Sequence, residues 1–352
     1  MKLKIEGVKV RSISSCLPPF VLDMHSLGAQ YGEIEVAKII KTTGIHCVRV
    51  AKDGITSSDL CLSAAKKLIN ENSIDPDQID GVVFVSQTPD YILPQTSHLI
   101  QKRLNLKESV FCLDIRLGCS GYIHGLLQSA LLVQSGACNM VLLLSGDVTT
   151  SFINPLDRAC RMVFGDAGTA TVVERGNSSM MFAIYSDGLG AERLIIPAGG
   201  ARVPRNYLTE IAVKCEDGSW RSECDLFMDG IEIFNFALKR VPLLLDEVAQ
   251  MAGWDRNEVG TYAIHQANKF MVDTIRRRAQ VEAHRMPIDV EKYGNTGPAS
   301  IPLLLSSVGQ IRQNEGRLSS AVLIGFGVGL SWGGVACQLN ETKIIEPITY
   351  IK

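Results

Sequence analysis

No stretch of the chain approaches the roughly 20 consecutive apolar residues needed to span a bilayer. The longest, such as Val141-Leu142-Leu143-Leu144 and Ile301-Pro302-Leu303-Leu304-Leu305, are the length of core strands or helix faces. Charge of one sign is equally scarce: 35 Lys and Arg against 37 Asp and Glu leave a net charge of −2, with no long basic run. That balance gives no basis for nucleic acid or an anionic membrane surface as a partner. Among ten cysteines there is no Cys-x-x-Cys pair and no His/Cys cluster at zinc spacing. Neither a metal site nor a dithiol redox motif is therefore expected. Met1 to Val10 alternate charge and hydrophobe like a strand and lack the apolar core of a signal peptide. The expected location is the cytoplasm, where a disulfide framework is not anticipated.

What is present is apolar material for a sizeable core: 46% of 352 residues are hydrophobic and 20% charged. Short β-rich runs alternate with amphipathic helical stretches, the pattern of an α/β protein with mostly parallel, buried strands. The runs also repeat. A helix-like stretch from Leu60 to Asn70 leads to the strand Val82-Val83-Phe84-Val85, and one from Val241 to Ala252 leads to Thr261-Tyr262-Ala263-Ile264. The offset of 180 residues between Val82 and Tyr262 recurs, as 181, between Val141-Leu142-Leu143-Leu144 and Val322-Leu323-Ile324-Gly325. This predicts a duplicated α/β unit, residues 1–176 and 177–352, with a polar turn at Arg175-Gly176-Asn177-Ser178-Ser179 between the two. Ala198 to Cys224 lacks periodicity and is rich in turn formers, so it is expected to lie outside the core.

One thiol stands apart. Cys119 follows the apolar run Phe111 to Ile115 in Gly118-Cys119-Ser120-Gly121 and precedes the helical Tyr122-Ile123-His124-Gly125-Leu126-Leu127. At such a turn the unpaired N–H groups and positive end of a helix favour thiolate, which predicts a nucleophile. Cys112, Cys138 and Cys337 sit in apolar settings and are expected to be buried small hydrophobes. Downstream, His265 in His-Gln-Ala-Asn and Asn295 in Tyr-Gly-Asn-Thr-Gly follow strand-like runs, so all three residues can converge on one cleft. Gly325-Phe326-Gly327-Val328-Gly329 offers backbone N–H groups at close approach. His124 falls on a different face of the helix from the thiol and is expected to pack. Phe164-Gly165-Asp166-Ala167-Gly168 lacks the lysine and spacing of a phosphate loop and reads as a tight turn.

In order and spacing, Thr43-Gly44-Ile45, Thr88-Pro89-Asp90-Tyr91, Gly118 to Gly121, Asp157-Arg158, Phe164 to Gly168, His265 to Asn268, Gly294-Asn295-Thr296 and Gly325 to Trp332 resemble the 3-oxoacyl-[acyl-carrier-protein] synthase III family of the thiolase superfamily. The resemblance implies two duplicated halves in a five-layered αβαβα thiolase-like fold, and a homodimer. It implies Cys119, His265 and Asn295 as the catalytic set, with the backbone N–H groups of Cys119 and Val328 as an oxyanion hole. Arg158, Asn268, Leu93, Phe326 and Gly327 are implied to contact substrate, Leu93 by reaching across to the partner's acyl pocket. No metal or other cofactor is implied. The substrates are acyl-coenzyme A or acyl-carrier-protein thioesters and a malonyl thioester, condensed with loss of carbon dioxide to a 3-oxoacyl thioester.

The chain departs from that pattern in places. The Trp and Arg that members using coenzyme A commonly carry before Thr-Gly-Ile are replaced by Lys38-Ile39-Ile40-Lys41-Thr42, and an Arg after His-Gln-Ala-Asn by Phe270. A carrier-bound donor and a specialised polyketide, surface-glycan or secondary-metabolite role are therefore expected rather than housekeeping initiation. Leu93, where a bulkier aromatic is usual, suits an acyl chain longer than acetyl. Two alternatives stand beside this reading: an acyltransferase of the same fold that moves the acyl group to a hydroxyl or amine, and a non-catalytic partner subunit of a heterodimer.

Overall fold

The computed structural model describes residues Met1–Lys352. Strands from the two ends of the duplication lie in one continuous ladder. Its order is Thr261–Ile264, Ala321–Gly327, Ser331–Cys337, Ala167–Ser186, Met140–Asp147, Gly81–Val85 and Phe111–Ile115. Gly81–Val85 runs parallel to both of its neighbours, and Thr261–Ile264 runs parallel to Ala321–Gly327. The strand pairs separated by 180 and 181 residues thus occupy equivalent, adjacent, parallel positions. The 20-residue strand Ala167–Ser186 joins the two sets, pairing with Met140–Asp147 through its first part and with Ser331–Cys337 through its last. Lys2–Leu17 runs antiparallel along its whole length.

The turn predicted at Arg175–Ser179 is not there: those residues lie inside the long strand. They carry polar, partly exposed side chains on both faces, so the alternation that marks a strand is missing where it leaves one core and enters the next. The register of its partner shifts between Glu6 and Val8, close to that crossing, as a β-bulge does.

Period-two alternation sorts the side chains into layers. Val82, Phe84, Leu142 and Leu144 face one core with the helix Ser57–Glu71, whereas Val83, Val85, Val141 and Leu143 face another. That second core also receives Ala263, Ala321 and Leu323, together with the helices Gly121–Gln134 and Ser300–Asn314. The opposite faces, Tyr262, Ile264, Val322, Ile324 and Phe326, meet the helix Gly230–Met251. Two helices are therefore sandwiched between two sheet regions, with further helices outside each: five layers, αβαβα. The Gly121–Gln134 helix sits close to its strands because a Cβ on Gly121 would lie 2.6 Å from Val85 Cγ1. Most of its residues are buried, and it is accordingly apolar over much of its surface, with His124 and Gln128 on the partly exposed stripe.

Residues 198–224 lie outside this sandwich. They form mainly turns plus a two-residue ladder, Val213–Lys214 with Trp220–Arg221. The Arg221 guanidinium anchors them through Nε to Asp157 Oδ2 at 2.5 Å, a buried ion pair. No helix is long and apolar enough to cross a membrane.

The central layer predicts its own test. Leu143→Ala, at a fully buried position, costs about 2–5 kcal/mol in denaturant unfolding. Leu243→Ala, on the exposed face of the Gly230–Met251 helix, changes it by about 0.5 kcal/mol or less.

Candidate active site

Three loops at the carboxyl ends of parallel strands meet over the central helices. Phe111–Ile115 ends in the turn that carries Cys119, closed by Gly121 N–H donating to the Gly118 carbonyl at 2.6 Å. Thr261–Ile264 ends at His265, whose backbone N–H donates to the Ile324 carbonyl at 2.8 Å. Ala321–Gly327 ends beside Val328, whose backbone N–H, with that of Cys119 itself, lies near enough to the Cys119 sulfur to favour its charged form. Gly327 must be glycine here, since a Cβ would stand 2.7 Å from Cys119 Cβ and 3.0 Å from Sγ.

Asn295 comes from a fourth loop. Its backbone N–H donates to the Val163 carbonyl at 2.8 Å, and its carbonyl accepts from Gly165 at 3.0 Å. The segment from Val163 to Gly165 is thus the clamp that holds the Asn295 loop; in place of the predicted tight turn, Phe164 bridges to Asn295 and the chain runs straight into the strand Ala167–Ser186, and a Cβ on Gly165 would lie 2.2 Å from the Tyr293 carbonyl oxygen. Asn295 Oδ1 accepts from Gly297 N–H at 3.0 Å, whereas Nδ2 has no partner within the chain. His265 Nδ1 lies 2.6 Å from Ser300 Oγ, and its ring meets Phe326 edge-on at 5.3 Å. One imidazole nitrogen is held and Nε2 is left free.

Burial dominates the electrostatics. Cys119 is 6% exposed and His265 1%. Desolvation pushes the Cys119 thiol up to about 12; the nearby Asp147 carboxylate adds to the rise, and the Val328 and Cys119 N–H groups oppose it. The thiolate expected from the helix terminus is therefore not the resting form. Desolvation holds His265 down to about 3, so the imidazole is neutral at every working pH. Asp147 is raised to about 7 by burial, against hydrogen bonds from Ser86, Gln87 and Thr88.

Two cavities meet at the thiol. The smaller, about 60 Å³, is lined by Cys119, His265, Asn295, Asn268, Phe326 and Gly327. The larger, about 340 Å³, is lined by Cys119, Val328, Asp147, Gln87, Arg116 and apolar side chains that include Phe152, Leu194 and Ile196. Cys119, Phe164 and Leu194 border both. The structure thus brings together seven of the predicted site residues, Val328 included. Asn268 has a second task, its Oδ1 capping the helix Lys269–Arg278 through Met271 N–H at 2.8 Å.

Two predicted residues lie elsewhere. Arg158 lines neither cavity; Nη1 is 3.3 Å from Glu35 and Nη2 donates to the Asp217 carbonyl at 2.6 Å. Leu93 is 79% exposed, on a surface loop with Tyr91 and Ile92. His124 faces neither cavity and has Nδ1 3.1 Å from the Ser120 carbonyl. Sequence reasoning missed Ser300, Asp147, Gln87 and Arg116. An acid ending a buried apolar strand, as Asp147 does, was a usable signal; Ser300 was not, because its role depends on where the helix places it. No three His, Cys, Asp or Glu side chains converge as a metal site.

A desolvated thiol, imidazole and carboxamide in one chamber, on a five-layered αβαβα scaffold, point to a thiolase-fold acyltransferase. The 3-oxoacyl-[acyl-carrier-protein] synthase III description matches residues 113–188, and that of its C-terminal region matches 249–339. The chain is 32% identical over 343 residues to the β-ketoacyl-[acyl-carrier-protein] synthase III of Chlamydia caviae, covering 96% of this chain and 98% of the relative. It is 30% identical over 348 residues to synthase III 2 of Streptomyces coelicolor, covering 97% and 96%. The 3-oxoacyl-(acyl-carrier protein) synthase structure from Burkholderia xenovorans superposes with a TM-score of 0.92 at 36% identity over 99% of both chains. The chain belongs to the 3-oxoacyl-[acyl-carrier-protein] synthase III family.

A thiol near 12 predicts a reactivity signature. Iodoacetamide alkylation of Cys119 in the free enzyme, followed by intact mass, should rise about tenfold per pH unit from 6 to 9 with no plateau. A plateau with a midpoint at pH 6–7 contradicts a buried, protonated thiol.

Proposed function

We propose that the protein is a decarboxylating condensing enzyme in which Cys119 carries the acyl group and His265 with Asn295 activates the extender. The observation that carries this reading is the position of Cys119 between the two cavities, with both unpartnered donors on one side only. The Cys119 sulfur forms a bond to the donor's thioester carbonyl. The donor's sulfur leaves and takes the thiol proton, so no external base is consumed. The N–H groups of Cys119 and Val328 hold the oxyanion, a contribution of roughly two to three orders of magnitude per donor in comparable sites. The acyl chain then occupies the larger cavity.

The malonyl thioester enters the smaller one. Ser300 Oγ donating to Nδ1 leaves the His265 proton on Nε2, where it and Asn295 Nδ2 reach the thioester oxygen. As the carbon–carbon bond to the carboxylate breaks and carbon dioxide departs, its electron pair forms an enolate held by those two neutral donors. A dry site strengthens both hydrogen bonds and withholds water from the leaving carboxylate. The enolate carbon attacks the acyl-Cys119 carbonyl, the C–S bond breaks with its electron pair on the Cys119 sulfur, a 3-oxoacyl thioester leaves, and one proton taken up from solvent restores the thiol.

The carrier of both substrates is proposed to be an acyl carrier protein, the partner named for the relatives. Arg158, which would meet a coenzyme A phosphate, is already held by Glu35 and the Asp217 carbonyl. Phe270 stacks on Phe234 at 5.5 Å instead of offering a cation. The working unit is proposed to be a homodimer: Phe111–Ile115 is an unpaired edge strand, and exposed Tyr91, Ile92 and Leu93 form an apolar loop suited to a partner. A cytoplasmic location and a specialised pathway complete the proposal.

Asn295→Ala should lower carbon dioxide release from malonyl-carrier protein by about 10²–10³ while leaving the Cys119 acyl adduct intact in mass. Undiminished decarboxylation in that variant contradicts the role given to Asn295, whereas no carbon dioxide release by the unaltered enzyme supports plain acyl transfer instead. Acyl-carrier donors should load Cys119 at least about tenfold faster than the same acyl group on coenzyme A; equal rates refute the carrier assignment.

A further inference from the structure

The larger cavity is not the uniformly apolar slot that a simple alkyl chain needs. Phe152, Leu194, Ile196 and Leu226 give it an apolar lining. Arg116, Gln87, Thr149 and Asp147 line it as well. Arg116 lines this cavity, is exposed as a residue, and has no ion pair or side-chain hydrogen bond within the chain, which leaves its guanidinium free for a ligand. Gln87 donates only its backbone N–H, to Asp147 Oδ1. Its side-chain oxygen stands against Gly118, where a Cβ would lie 2.2 Å away, leaving the amide nitrogen without a partner. All four hydrogen bonds to the Asp147 carboxylate go to Oδ1, so that oxygen is saturated and the group is fixed.

An arginine beside the nucleophile, three residues before it on the same turn, has no use in the steps above. It is not an oxyanion donor, since the backbone N–H groups of Cys119 and Val328 take that place. A cation on the wall of a cavity that receives an acyl chain instead asks for negative charge on that chain. We infer that Arg116 is a specificity-determining residue that selects an acyl donor bearing a carboxylate at the end remote from the thioester, with the Gln87 amide as its second donor.

The inference rests on Cys119 as the acyl carrier and names the substrate class of that same site. A guanidinium matches a carboxylate through two parallel hydrogen bonds. A donor ending in a methyl group leaves that pairing unmade. Three residues of chain hold the Arg116 and Cys119 Cα atoms within roughly 10 Å, the scale of a dicarboxylic acyl group of about four to six carbons. The apolar lining packs the methylenes between the two ends. A cavity of about 340 Å³ lies at the small end of the roughly 300–1,000 Å³ usual for ligand sites, in keeping with a short chain.

The test is intact-protein mass spectrometry of Cys119 acylation, with the rates compared for succinyl and glutaryl against butyryl and hexanoyl groups, each on the same pantetheine or carrier protein. In the unaltered enzyme the dicarboxylic donors should load at least about tenfold faster. Arg116→Met should reverse that order, lowering dicarboxylic loading about ten- to hundredfold while monocarboxylic loading stays the same or rises; Arg116→Lys should restore part of the preference. A merely structural role for Arg116 would depress all four donors together, and that result overturns the inference. So does faster monocarboxylic loading by the unaltered enzyme. If no donor acylates Cys119 at all, the acyl-carrier role of the thiol falls, and this inference with it; undiscriminating acylation removes only the inference.

Discussion

The removal of water from the seam between the two sheet regions is the constraint on which the site depends. Burial there raises the Cys119 thiol and the Asp147 carboxyl and lowers the His265 imidazole, and in each case it is the largest influence. A buried charge is costly unless paired, so the resting site adopts the neutral forms. A neutral imidazole and a neutral carboxamide are the donors an enolate oxygen needs. In the proposed mechanism they hold developing charge without adding a cation that would also bind the intact malonyl carboxylate and stabilise the ground state. The same dryness keeps a thioester from water.

That seam exists because two sheet regions share a pair of central helices. The Gly121–Gln134 and Ser300–Asn314 helices pack residues of one core against strands from both ends of the chain. One helix begins just after Cys119, and the other begins at Ser300, which holds His265. Packing and chemistry are therefore linked: the element that fills the core also sets the thiol and the imidazole. The long strand Ala167–Ser186 keeps the two regions in register, and the Val163–Gly165 segment just before it clamps Asn295.

Much of this was legible in the sequence, for identifiable reasons. The 180-residue offset survived because buried parallel strands must be apolar runs, and both copies retained them. Cys119, His265 and Asn295 each follow such a run, and the fold brings all three to one cavity. The Arg175–Ser179 segment misled because a strand crossing between cores loses its alternation and reads as a turn. The state of the thiol misled too: the turn and helix were visible, but the degree of desolvation depends on residues such as Gly327 and Val328, some 200 positions away. Arg158 and Leu93 show the other limit. Glu35 and Asp217, which hold Arg158, are distant in sequence, and Leu93 reaches no cavity within its own chain.

The central claim is that the His265 imidazole, proposed as catalytic, is neutral and shut away from water. Nitrogen-15 NMR of the histidine rings, with His265 assigned by its loss in His265→Ala among six histidines, tests it directly. The account predicts a neutral ring in one tautomer, protonated at Nε2 and unchanged from pH 8 down to about 5, because its titration lies near 3. An imidazolium signal at pH 7, or a titration close to the free histidine value of about 6.5, contradicts it.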